Sequence, residues 1–95
     1  MSEYIATYDE DWNRYFNKQS RELKIRIVKK ISKVLEYPAK RHLKSGANFF
    51  VDEIGQYRLL YRIFEDTKQV NFYFVGDHKE YEKYYLDFFW LHNFI

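Results

Sequence analysis

Ninety-five residues are enough for one domain built around one core, and residues 1–95 read as a single domain. With 46% hydrophobic residues, one proline and three glycines, the chain is globular rather than disordered, and the absence of cysteine excludes a disulfide framework and thiolate zinc sites. The net charge of +2 hides an uneven distribution: residues 18–44 hold ten basic and two acidic side chains, whereas residues 1–17 and 45–95 are each net acidic. A local basic stripe attracts polyanions whatever the total charge, although such a stripe is often only a solvated helix face.

Glu3 to Thr7 is a short apolar stretch that predicts a first strand. Asp9, Glu10 and Asp11 suit the first turn of a helix, where the backbone dipole favours acids, and Trp12, Tyr15 and Phe16 follow at helical spacing. A break over 17–20 separates this helix from a second, in which Leu23, Ile27, Ile31, Val34 and Leu35 form the apolar stripe. Lys24, Arg26, Lys29, Lys30 and Lys33 fall mostly on its other faces. Pro38 ends the second helix, because the residue before a proline avoids helical angles. The two helices are expected to form an antiparallel hairpin.

Residues 39–48 read as a basic connector containing Lys40, Arg41, His42 and Lys44. Three strand-like runs follow: Phe49 to Ile54, Gln56 to Phe64, and Gln69 to Val75. The short links, Gly55 and the turn Glu65 to Lys68, imply an antiparallel meander. In the middle strand Tyr57, Leu59, Tyr61 and Ile63 share one face, with Arg58, Leu60, Arg62 and Phe64 on the other. In the last strand Val70, Phe72 and Phe74 alternate. The tail from Lys79 to Ile95 reads as a helix. The order β-α-α-β-β-β-α predicts an α+β fold: a small antiparallel sheet, a helical hairpin on the Tyr57 face, and a C-terminal helix. The Arg58 face is expected to be open or concave.

No apolar run approaches the roughly 18 residues of a membrane span, and Met1 leads into acidic and polar residues rather than a signal peptide, so a cytoplasmic protein is expected. There is no Gly-rich phosphate loop and no local metal-ligand pattern among the three histidines. What stands out is a set suited to phosphate and proton handling. Arg58 can hold two phosphate oxygens at once and stays charged at any working pH. Its alternative is an ordinary strand arginine paired with Asp52 or Glu53. His78, just beyond Gly76 and Asp77, is a residue type able to act as base or acid near neutrality, or simply a neighbour of a helix cap. Tyr81, Tyr84 and Tyr85 open the last helix; by spacing Tyr81 and Tyr85 share a face with Phe88, leaving Tyr84 to face the arginines. Lys44 and Arg41 could steer a nucleic-acid backbone.

Several segments, in order, resemble the RelE/ParE superfamily of toxins from toxin–antitoxin systems. They are Leu35-Glu36-Tyr37-Pro38, Leu43-Lys44-Ser45-Gly46, the strand Gly55 to Tyr61, and the stretch Gly76 to Tyr81 and on to Tyr84. The resemblance spans roughly residues 3–85. In RelE-like members it implies a metal-independent endoribonuclease that needs no cofactor and cuts messenger RNA on the ribosome. It matches the transition-state arginine to Arg58, the residue after the last strand to His78, and the downstream tyrosine to Tyr84, with Tyr81 as second choice. Arg62 would support Arg58, and Arg41, Lys44, Arg62 and Tyr81 would contact RNA. One departure lies in the second strand, where ribonuclease members carry basic residues and this chain has Val51, Asp52 and Glu53. Glu53 could serve as general base; the same residues equally suit a member without nuclease activity. The resemblance therefore implies a messenger RNA interferase, with two alternatives: a ParE-like inhibitor of DNA gyrase, or a silent antitoxin-binding member. Each implies a cognate antitoxin whose acidic segment folds on binding, and higher-order assemblies with it.

Overall fold

The computed structural model describes residues 3–36, 43–44 and 49–93. In chain order it contains β1 (Ile5–Tyr8), α1 (Trp12–Asn17), α2 (Arg21–Glu36), β2 (Leu43–Lys44), β3 (Phe49–Ile54), β4 (Tyr57–Phe64), β5 (Gln69–Asp77) and α3 (His78–Asn93). This is the expected α+β order, with β2 added inside the segment that reads as a connector.

Local chemistry sets the helix starts. The Asp9 carboxylate accepts a hydrogen bond from the Asp11 amide at 3.2 Å, and the Asp9 carbonyl accepts one from the Trp12 amide at 2.9 Å. The acids therefore form the turn before α1 rather than its first residues. The Ser20 hydroxyl accepts from the Leu23 amide at 3.2 Å, satisfying one of the amides that a helix start leaves without a partner. Leu23, Ile27, Ile31 and Val34 are the buried residues of α2, as their spacing predicts. The helix ends at Glu36, before Pro38, which lies outside the described residues along with the rest of 37–42.

The sheet has the order β1-β5-β4-β3-β2. Strands β2 to β5 pair antiparallel, as the short links require, while β1 pairs parallel with β5 from Ile5↔Gln69 to Tyr8↔Phe72. The parallel edge follows from connectivity: the chain leaves β1, passes through both helices, and re-enters the sheet at its opposite edge. The β3–β4 link is a two-residue turn with Gly55 at φ 60°, the left-handed region glycine enters without steric cost.

One register shift alters the expected faces. Leu60 pairs with Phe74 but Tyr61 pairs with Phe72, so Tyr73 is an extra residue in β5. Val70 and Phe72 therefore enter the core beneath α1 and α2, whereas Phe74 joins the opposite face. The expectation that all three share a face fails at this bulge.

The face towards α1 and α2 holds the larger core, including Ile27, Val34, Leu59, Tyr61, Phe72 and Val75. Each fully buried aliphatic side chain there contributes on the order of 1.5–3 kcal/mol. The other face is not open along its length: α3 crosses it, and Val51, Leu60, Phe74 and Tyr81 form a second, smaller core. Tyr81, with Tyr84 and Tyr85 packed beside it, supplies cover that alternation along β4 could not reveal.

Candidate active site on the sheet face beneath the last helix

Arg58 projects from β4 on the α3 side of the sheet. Its cross-strand neighbours are Glu53 on β3 and Gly76 on β5. The guanidinium carbon lies 5.2 Å from the centre of the Tyr81 ring, a separation at which the ring face attracts a cation. Arg58 is half-buried, and its Nε is buried with no hydrogen-bond partner among the described residues. An unmatched buried donor of this kind costs about 1–3 kcal/mol unless an external acceptor meets it.

Arg58 forms no ion pair with either acid of β3 among the described residues. The Asp52 carboxylate is turned to the helix side and lies 3.7 Å from the Lys30 ammonium. Glu53, exposed, is on the same face as Arg58 and directly opposite it. The two β3 acids thus have different placements: one braces α2, and the other stands beside the arginine.

Arg62 shares the Arg58 face, as alternation predicts. Its guanidinium carbon lies 5.2 Å from the Phe49 ring centre and 4.8 Å from that of Phe64. Its Nε is also buried and unpartnered among the described residues. Two flanking rings hold this cation and leave its charge uncancelled.

Gly76 and Asp77 set the start of α3. A Cβ on Gly76 would meet the Phe74 ring at 2.6 Å and Glu80 at 3.1 Å, so glycine is required by close approach. The Asp77 carboxylate accepts from the Glu80 amide at 2.8 Å, and the Glu80 carboxylate accepts from the Asp77 amide at 3.1 Å. This reciprocal capping starts the helix. The second Glu80 oxygen accepts from the Lys18 ammonium, tying α3 to the residue that follows α1. His78 is the first residue of α3, exposed, and two positions beyond the glycine opposite Arg58.

The tyrosines are disposed differently from the expectation. Tyr81 is the ring over Arg58, and it is also buried against Phe74. Tyr84 turns towards α1. Its ring stacks on Phe74 at 4.6 Å and meets Tyr15 edge-on at 5.4 Å. It lines a pocket of about 380 Å³ between α1 and α3, with Arg14, Lys18 and Lys83 nearby. Burial, reinforced by Tyr15 and Asp9, pushes the Tyr84 phenol well above its ordinary value. Spacing shows which tyrosines share a face of α3 but not which face meets the arginines. Lys44 is placed through its backbone in β2, opposite Phe50, and Arg41 lies outside the described residues. Gly76 stands out in the sequence as the end of the last strand, whereas the site-building part of Glu80 does not; the Asp-x-x-Glu spacing of a capping box is its signal.

Neither the known protein-family models nor the curated proteins give a match. Solved structures do. The chain is similar to the RelBE2 toxin–antitoxin complex of Mycobacterium tuberculosis, with TM-score 0.70 and 23% identity over 82% of this chain and 94% of that one. It is similar to the isolated E. coli RelE toxin, with TM-score 0.69 and 23% identity over 78% and 83%. It is also similar to the archaeal RelE–RelB complex of Pyrococcus horikoshii, with TM-score 0.65 and 13% identity over 81% and 96%. The chain has the RelE toxin fold.

Proposed function

We propose that this chain is the toxin of a toxin–antitoxin system and cleaves messenger RNA on the ribosome in the cytoplasm. The reading rests above all on Arg58, a permanently charged, half-buried side chain whose Nε has no partner among the described residues, standing opposite Glu53 on a RelE-like sheet. In the proposed reaction Glu53 takes the proton of the ribose 2′-OH. The 2′-oxygen forms a bond to the adjacent phosphorus, and the bond from phosphorus to the 5′-oxygen breaks. His78 gives a proton to that leaving oxygen, and the products are a 2′,3′-cyclic phosphate and a 5′-hydroxyl. Arg58 stabilises the charge that builds on the non-bridging oxygens, supported by Arg62. Tyr81 orients the guanidinium from above. Tyr84, packed on Tyr15 and Phe74 towards α1 with its proton held more tightly than usual, takes no part in this proton transfer.

The partner is proposed to be an antitoxin, since RelE structures of this fold have been solved bound to RelB. Induced expression of the chain alone, with growth followed and messenger 5′ ends mapped, tests the function. Growth arrest with new messenger ends, lost in Arg58→Ala and His78→Ala, is the expected result. Arrest with intact messages would replace this reading with gyrase inhibition. Folded protein without arrest would leave a silent binding module.

A further inference from the structure

A second basic site lies around the sheet rim from Arg58. Arg26, Lys29, Lys30 and Lys33 line a groove of about 250 Å³ between α2 and the β3–β4 turn. At spacings of three and four they share one helix face, where like charges repel. No acid occurs on α2 between Glu22 and Glu36 to relieve them. Lys30 is engaged by Asp52, and Arg26 reaches over Gly55, where an added Cβ would lie 2.8 Å from its guanidinium. Lys29 and Lys33 are exposed and form no ion pair among the described residues. Among the described residues four cations are thus gathered against the Asp52 partner of Lys30 and the Glu53 carboxylate at the rim, an excess of positive charge that an external polyanion would offset.

We infer that this groove binds the sugar–phosphate backbone of RNA flanking the cleaved position, an inference that rests on the ribonuclease reading. Two observations favour RNA over an acidic protein segment. Of the seven lining residues four are cationic, one is an acid (Glu53) and only Ile54 is apolar and buried, and the exposed apolar residues of α2, Ile25 and Val28, lie on a different stripe of the helix. A folding peptide needs apolar anchors, whereas a phosphate backbone needs only charge. Glu53 also borders the groove while standing opposite Arg58, so one strand passing over the turn can reach both places.

The test measures binding of a non-cleavable 2′-O-methyl single-stranded RNA to the full chain as a function of salt. For Lys29→Ala/Lys33→Ala the slope of log affinity against log salt should fall by about 1.4, two single-strand phosphate contacts. Lys29→Arg/Lys33→Arg should restore it, and Lys68→Ala, at the opposite end of β4, should leave it unchanged. A thermal melt of the alanine variant should show no loss of stability, because repulsion on α2 is relieved. An unchanged slope in the alanine variant, or no RNA binding by the wild-type chain, overturns the inference. So does an unchanged RNA slope accompanied by lost binding of a poly-glutamate peptide, which would assign the groove to an acidic protein. Cleavage of an unmodified message on programmed ribosomes is scored separately: RNA binding with the expected slope but no such cleavage leaves the groove standing and removes the ribonuclease reading.

Discussion

The two faces of the sheet are built to different ends. Beneath α1 and α2 the buried core is apolar and drawn from five elements, as with Ile27, Leu59, Phe72 and Val75, with the Asp52–Lys30 pair at its margin. Beneath α3 the apolar core is smaller, and beside it two arginines keep buried Nε atoms without partners among the described residues. The first face stabilises the fold. The second keeps uncancelled charge next to aromatic rings, at a cost the first face covers. A protein built for stability alone would not place guanidinium groups there.

Substitutions on the two faces should separate stability from activity. The largest stability loss is expected on the helix-hairpin face, where Phe72→Ala should cost about 3–5 kcal/mol in denaturant unfolding. Arg58→Ala should do the reverse. Cleavage should fall by about 10²–10³-fold, the usual effect of removing one stabilising donor, while the thermal midpoint stays close to wild type. A large drop in that midpoint would mean Arg58 is structural and would erase the distinction between the faces.

Gly76→Ala tests the join between β5 and α3. Its added Cβ would meet the Phe74 ring and Glu80, so a loss of about 1–3 kcal/mol is expected. Unchanged stability and activity would show that the start of α3 is looser than its capping pattern implies.

The smallest effect concerns Tyr84. Its folded pKa is raised above the ordinary 10.0, so the folded state holds the proton more tightly than the unfolded chain does. That contribution is fully present below the unfolded value and is lost as pH rises through the folded one. Wild-type stability should therefore decline above a pH of about 10, and Tyr84→Phe should decline less. Identical alkaline profiles would mean that the stacking on Phe74 and Tyr15 does not bury the phenol.

Much of this was legible in the sequence because period and punctuation agreed. The stripe from Leu23 to Val34, the break before Ser20, and the Gly55 turn each have one physical solution, and each is observed. The pairing of Arg58 and Arg62 on one face followed from strand alternation. What escaped depended on contacts distant in sequence. The parallel pairing of β1 with β5 is decided by where two helices deliver the chain. The Tyr73 bulge is local, and three consecutive aromatics at 72–74 break strict alternation, but register is fixed only by the partner strand. The exchange of roles between Tyr81 and Tyr84 depends on how α3 lies across the sheet. Glu53 and Asp52 look equivalent as neighbouring acids, yet alternation sends one to Arg58 and the other to Lys30.

The most direct test of the central claim is end-group analysis of a message cut by the purified chain on programmed ribosomes, with the exposed codon carrying a single ribose among deoxyribose residues. The account predicts one cut, after that ribose, leaving a 2′,3′-cyclic phosphate and a 5′-hydroxyl, and no cut by Arg58→Ala. Cleavage elsewhere, a 5′-phosphate product, or full activity in Arg58→Ala would contradict it.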